Sequence, residues 1–110
     1  MFQRLVVWFP LWEHENVRIV SGRRLKEFVE RHKNSENVLR AWATAVETST
    51  WKNPGELRRM FGTADFVGDK TVFDIGGNKY RLIAYIHYRA KIVFIKHILT
   101  HAEYDKGDWK

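Results

Sequence analysis

An α+β domain is predicted, with N-terminal helices packed on a mainly antiparallel, curved β-sheet drawn from the C-terminal half. Three observations predict it. Residues 21–61 carry apolar side chains at helical spacing. Residues 65–99 hold β-rich runs joined by very short turns, two of them glycine-bearing. No linker long enough to divide the domain interrupts the 110 residues, so a single domain is expected.

The first twelve residues, MFQRLVVWFPLW, stand apart. Arg4 precedes a short apolar run, Pro10 interrupts it, and Glu13, His14 and Glu15 follow without a small residue. The segment therefore fits neither a secretory signal nor a membrane span. It reads as an edge strand over Leu5 to Phe9, as an accessory flap, or as the result of a start codon assigned too early. Residues 1–16 are expected to be an N-terminal extension and residues 17–110 the domain proper. A chain beginning at Val17 would open directly into a strand–helix unit.

Val17 to Val20 alternates as a short strand. Ser21 is placed as the N-cap of a helix reaching about His32, with Leu25, Phe28 and Val29 as its buried stripe. Arg23, Arg24, Lys26, Arg31 and Lys33 line its other sides, as a solvated face or a docking face for an acidic partner. Asn34 and Ser35 separate it from a second helix, Glu36 to Thr48, whose stripe is Val38, Leu39, Trp42, Ala43 and Val46. Matching stripes predict an antiparallel helix hairpin on one sheet face, with Trp42 in the core. Asn53-Pro54-Gly55-Glu56 is a helix-start signature in which Asn53 caps, Pro54 opens the first turn and Glu56 reaches back. Leu57, Met60 and Phe61 face inward, and Gly62 ends the helix.

Asp65 to Val67 leads through a Gly68-Asp69 turn into a β-rich run, Thr71 to Ile75. Gly76-Gly77-Asn78 is a tight connection in which glycine supplies positive φ. Tyr80 to Tyr88 and Lys91 to Leu99 are the two long strands, joined at Arg89-Ala90, so an antiparallel meander is expected. A short polar tail follows, with Thr100, His101, Glu103, Tyr104 and Asp105.

Nineteen Lys and Arg against thirteen Asp and Glu give a net charge of +6. Such a balance suits an anionic partner (RNA, DNA, an anionic membrane or an acidic protein), or a soluble domain that is simply basic. The chain has no cysteine, which excludes disulfides, thiolate catalysis and thiolate zinc sites and fits a cytoplasmic location.

The chemistry-bearing residues gather on the last strands. Arg81 interrupts an apolar and aromatic strand, and burying its charge alone is costly. It either pairs with Asp65 or Asp74, or aims its bidentate fork at a phosphate. His101 falls near the same open end of the strand pair as Arg81, and Tyr104 lies one helical turn beyond. Arginine, histidine and tyrosine together offer charge stabilisation and proton transfer without a metal. The five histidines, at 14, 32, 87, 97 and 101, show no metal-ligand spacing such as HExxH, so neither a metal nor a cofactor is expected. Gly76-Gly77 alone is explained by the turn.

The run ADFVGDKTVFDIGGNKYRLIAYIHY (Ala64 to Tyr88), followed by KIVFIKHILTHAEYDKGDW (Lys91 to Trp109), resembles the HigB family of toxins. That family belongs to type II toxin–antitoxin pairs and to the wider RelE-like group. GGNKYRL (Gly76 to Leu82) and THAEYD (Thr100 to Asp105) are the strongest pieces. RIVSGRRLKEF (Arg18 to Phe28), LRAW (Leu39 to Trp42) and WKNP (Trp51 to Pro54) extend the resemblance to essentially Val17 to Trp109.

The resemblance implies a RelE-like fold and an endoribonuclease that cuts messenger RNA, typically on the ribosome. It also implies a HigA-like helix-turn-helix antitoxin as partner. On that footing Arg81 would stabilise charge on the phosphoryl oxygens and His101 would transfer a proton. Tyr104 and Lys79 would orient the phosphate or take the second proton-transfer role. Lys96, His97, Asn78 and Lys91 would hold the RNA, with Tyr80 or Tyr85 as stacking platforms. A non-catalytic RNA- or ribosome-binding module and a ParE-like gyrase poison remain as alternatives.

Overall fold

The computed structural model describes residues 16–110. All of the N-terminal extension except Asn16 lies outside them, including the Leu5 to Phe9 strand and His14. Strand β1 (Arg18–Val20) leads into helix α1 (Arg23–Arg31), a 3-10 turn (Lys33–Ser35), α2 (Glu36–Glu47) and α3 (Pro54–Met60). Strands β2 (Asp65–Val67), β3 (Lys70–Ile75), β4 (Tyr80–His87) and β5 (Ile92–Thr100) follow, and a short helix α4 (His101–Asp105) closes the series.

The strands form one sheet in the order β1-β5-β4-β3-β2. The expected meander is present: β2, β3, β4 and β5 pair antiparallel in sequence. The first strand is the exception, lying parallel to β5 through Arg18–Ile92, Ile19–Val93 and Val20–Phe94. A parallel neighbour needs a long crossover, and all the helices α1–α3 and strands β2–β4 lie between β1 and β5 in sequence.

One sheet face carries the main core. Phe28 from α1, Leu39, Trp42 and Val46 from α2 and Leu57 from α3 are buried against Phe73, Ile75, Leu82, Ala84, Val93 and Ile95. Phe73 is the meeting point, with Trp42 edge-on at 5.3 Å and Phe61 at 5.1 Å. Tyr80 also points to this face, edge-on to Phe28 at 5.4 Å. A groove of ≈ 460 Å³ runs between α1 and α2, floored by Leu25, Val29, Leu39 and Ala43. The opposite face has a smaller cluster of Val72, Ile83 and Trp109, joined by Val67, Leu99 and Tyr104.

Two start signals differ from expectation. Ser21 does not cap α1: its φ is 72°, Gly22 takes the cap position, and no side chain caps the helix. The chain must reverse sharply between β1 and α1, and the turn aims the Ser21 carbonyl, not its hydroxyl, at Arg24 N–H (3.0 Å). At α3, Asn53 does accept from Glu56 N–H at 2.9 Å. Glu56 reaches one residue beyond the cap, to Lys52 N–H at 2.8 Å. Among the described residues no helix is long and apolar enough to cross a membrane.

Candidate active site

Side chains alternate across a strand, so Leu82, Ala84 and Ile86 point into the helix layer and Arg81, Ile83, Tyr85 and His87 to the other face. The register sets Arg81 between Asp74 on β3 and Leu99 on β5. On β5 the pairing slips by one residue: Ala84 opposes Ile95, but Ile83 opposes His97. Lys96 is the extra residue of that β-bulge. The bulge returns Leu99 to the Arg81 face while keeping Ile95 and Ile98 in the core.

The Arg81 guanidinium is held on three sides. Nη1 lies 3.1 Å from Asp74 Oδ1, and Nη2 donates to Asn78 Oδ1. The Tyr104 ring covers it, with the guanidinium carbon 5.2 Å from the ring centroid. Only 12% of the side chain is exposed, so a ligand would meet one edge of the fork. Asn78 reaches it because the β3–β4 connection runs Gly76, Gly77, Asn78 at φ of 65°, 63° and 84°. Asparagine tolerates that region better than most residues bearing a Cβ. Tyr104 is fixed from behind by Trp109, which stacks on it at 4.9 Å and donates from Nε1 to its carbonyl at 2.9 Å.

The helix bearing His101 is tied to the same corner. Thr100 opens α4 with a capping box: its hydroxyl accepts from Glu103 N–H at 3.2 Å, and Glu103 Oε1 accepts from Thr100 N–H at 2.9 Å. The Thr100 N–H holds the Glu103 carboxyl below its ordinary range, against a smaller upward push from burial. The Thr100 hydroxyl, His32 and Arg31 lower it further. His101 N–H donates to Lys79 carbonyl at 3.1 Å. On its side chain, Nδ1 lies 3.0 Å from Asp105 Oδ2. With Nδ1–H donating to a carboxylate, the neutral imidazole keeps Nε2 as its free acceptor. The ring is 44% exposed, so Nε2 can meet solvent or a substrate.

Arg81, Asn78, Lys79, His101 and Tyr104 therefore share one end of the β3–β4–β5 sheet. Lys79 is exposed in the turn and Lys96 at the bulge. His97 is half-buried. Burial first, then Arg24, Lys70 and Lys96, hold its imidazole below its ordinary pKa. Lys91 is not brought to this cluster. It sits in the β4–β5 turn with φ 60°, at the far end of a strand that spans ~20 Å between Arg81 and His87. Tyr80 is not a free stacking platform, because it packs under α1. Tyr85 is exposed and lies beside Phe94, with ring centroids 6.1 Å apart.

Two contributors escaped the sequence reading. Asp105 was legible as the i+4 partner of His101 on a helical turn. Trp109 gave no such signal, since nothing local indicates that a tail tryptophan folds back onto Tyr104. Among the described residues no group of three or more His, Cys, Asp or Glu is placed to hold a metal ion.

Residues 35–107 match the HigB_toxin family, described as the RelE-like toxic component of a toxin–antitoxin system. The chain is 33% identical over 93 residues to the mRNA interferase HigB of Escherichia coli O6:H1, covering 82% of this chain and 90% of that protein. It is 25% identical over 92 residues to the mRNA interferase toxin HigB of Escherichia coli K12, covering 81% and 88%. The mRNA interferase HigB of Shigella flexneri matches to the same extent.

Proposed function

The chain belongs to the HigB family of RelE-like toxins, and on that premise we propose that it is an endoribonuclease that cleaves messenger RNA at the Arg81–His101 corner. The observation that carries the reading is that an oriented guanidinium and an oriented imidazole are carried at the same end of the sheet. Asp74, Asn78 and Tyr104 fix Arg81, and Asp105 fixes His101. The names of the relatives, mRNA interferases at 25–33% identity, point to the same substrate.

The 2′-hydroxyl of the RNA attacks the adjacent phosphorus and loses its proton. The P–O5′ bond breaks, leaving a 2′,3′-cyclic phosphate and a 5′-hydroxyl that gains a proton. His101 Nε2 accepts the first proton or, as imidazolium, supplies the second. Tyr104 and Lys79 take the other transfer or orient the phosphate. Arg81 meets the negative charge that grows on the non-bridging oxygens, where a fixed charge is worth most. Asn78 holds the arginine, and Lys96 and His97 lie along β5 as contacts for the strand that enters. The target is mRNA on the ribosome, in the cytoplasm, and the neutralising partner is a HigA-like helix-turn-helix antitoxin.

Primer extension on mRNA after induction tests this. Wild type should give discrete cuts, and Arg81→Ala should reduce them on the order of 100-fold or more while the protein stays folded by circular dichroism. A folded Arg81→Ala, His101→Ala double variant that still cuts would sink the assignment. In a translation extract, bound but intact RNA would favour a binding module, and broken gyrase–DNA complexes would favour a gyrase poison.

A further inference from the structure

A second cationic site lies one strand-edge away from Arg81. β1 pairs with β5 only as far as Phe94, so from Ile95 onward β5 has no strand on that side among the described residues. α1 crosses this open edge and leaves a groove of ≈ 230 Å³ lined by Arg24, Glu27, Phe28, Arg31, His97, Ile98 and Leu99. Arg31 lies over the Phe28 ring, 5.9 Å from its centroid. Among the described residues Arg24, Arg31 and Lys96 make no ion pair.

The nearby acids are occupied elsewhere. Glu27 lies 3.9 Å from Arg23, and Glu103 is held by Thr100 N–H at 2.9 Å. Lys70 approaches from β3, and Glu103, Lys106 and Asp108 line a neighbouring hollow that shares His97 and Leu99. Lys70 is itself 3.4 Å from Asp69. Glu27 lines the groove and Glu103 feels Arg31, but Arg24, Arg31, Lys70 and Lys96 outnumber them around the half-buried imidazole, and an anion seated there relieves the remaining repulsion.

We infer that the groove between α1 and the free edge of β5 is a second phosphodiester subsite, in which Arg24, Arg31 and His97 hold a backbone phosphate of the RNA strand away from the scissile bond. The inference rests on the RNA-cleaving reading of the Arg81 corner and extends it. His97 lies two residues along β5 from Leu99, the cross-strand neighbour of Arg81, or ~7 Å along the strand. A strand of a few nucleotides therefore reaches from one site to the other. Arginine suits the role, because its fork grips two phosphate oxygens at once. A grip on backbone phosphate contributes affinity that is indifferent to sequence.

The test is the salt dependence of binding to a short single-stranded RNA carrying 2′-O-methyl groups, which cannot undergo 2′-hydroxyl attack. Full-length wild type is compared with Arg24→Gln, Arg31→Gln and with a charge-matched control, Arg59→Gln, Arg89→Gln. The groove variant should bind more weakly at low salt. Its slope of log K against log salt should be shallower by about 0.7 for each phosphate released, and the control should keep most of the wild-type slope. The Arg81→Ala protein should still bind this RNA through the groove while failing to cut unmodified mRNA. Equal slopes for wild type and groove variant, or an equal loss in the control, overturn the subsite and leave the Arg81 chemistry standing. A wild type that binds no RNA also overturns the subsite, while the Arg81 cleavage is judged separately by primer extension. Loss of affinity for the antitoxin alone, with RNA binding intact, assigns the arginines to a protein partner and overturns the subsite as well.

Discussion

Asp105 sits 3.0 Å from His101 Nδ1 and touches none of the reacting atoms in the proposed reaction. Its work is to choose the tautomer and hold the ring, so it is a positioning residue. Asp105→Asn should lower the cleavage rate by tenfold or more. Asp105→Glu should restore part of the rate; an Asn variant that cuts as fast as wild type would count against the pairing. His97 supports a separate prediction about stability. Its folded pKa lies below the ordinary 6.5, so above that value both folded and unfolded states carry it neutral. As pH falls through 6.5 the unfolded chain takes up the proton first, and stability is lost down to the folded pKa. His97→Asn should flatten the acid side of the urea-midpoint profile below pH 6.5. Arg81 could be picked out as a misplaced charge, but its partner could not, because the register that chooses Asp74 over Asp65 is a property of the whole sheet.

The capping box of α4 joins a strand end to the candidate site. Thr100→Ala removes the acceptor for Glu103 N–H and should cost about 1 kcal/mol. Because α4 carries both His101 and Tyr104, the same change should loosen Tyr104 over Arg81 and lower activity more than stability alone explains. Circular dichroism melts alongside cleavage assays separate the two. Most elements were readable from local periodicity: the stripes of α1 and α2, the Asn53-Pro54 start of α3, and the alternation of β4 and β5. Two features were not. Ser21 had the composition of a cap, but the reversal after β1 gives it positive φ. The bulge at Lys96 has no local signature, since it reconciles the twist of β4 and β5 with burial of Ile95 and Ile98 on one face. It is also what settles that Leu99 shares the face of Arg81.

At the scale of the molecule, Phe73 is the residue through which α2, the end of α3 and the sheet meet. It is 1% exposed. Phe73→Ala should cost about 3–5 kcal/mol, a large share of a domain stability on the order of 5–15 kcal/mol. The urea midpoint should fall with little change in slope, as expected for one cooperative unit. The two faces of the sheet then divide the labour. Removing a core aromatic should unfold the protein, whereas changes to exposed polar groups of the other face, such as His101, should spare the fold.

That division gives the tail of the chain unusual leverage. The aromatic lid over Arg81 is propped by Trp109, which belongs to no helix or strand and follows the last helix by only a few positions. Loss of the Trp109 ring would let the lid swing free, and it would also open the small cluster that Trp109 makes with Val72 and Ile83. One aromatic ring thus ties the tightness of the guanidinium to the packing beneath the sheet's second face.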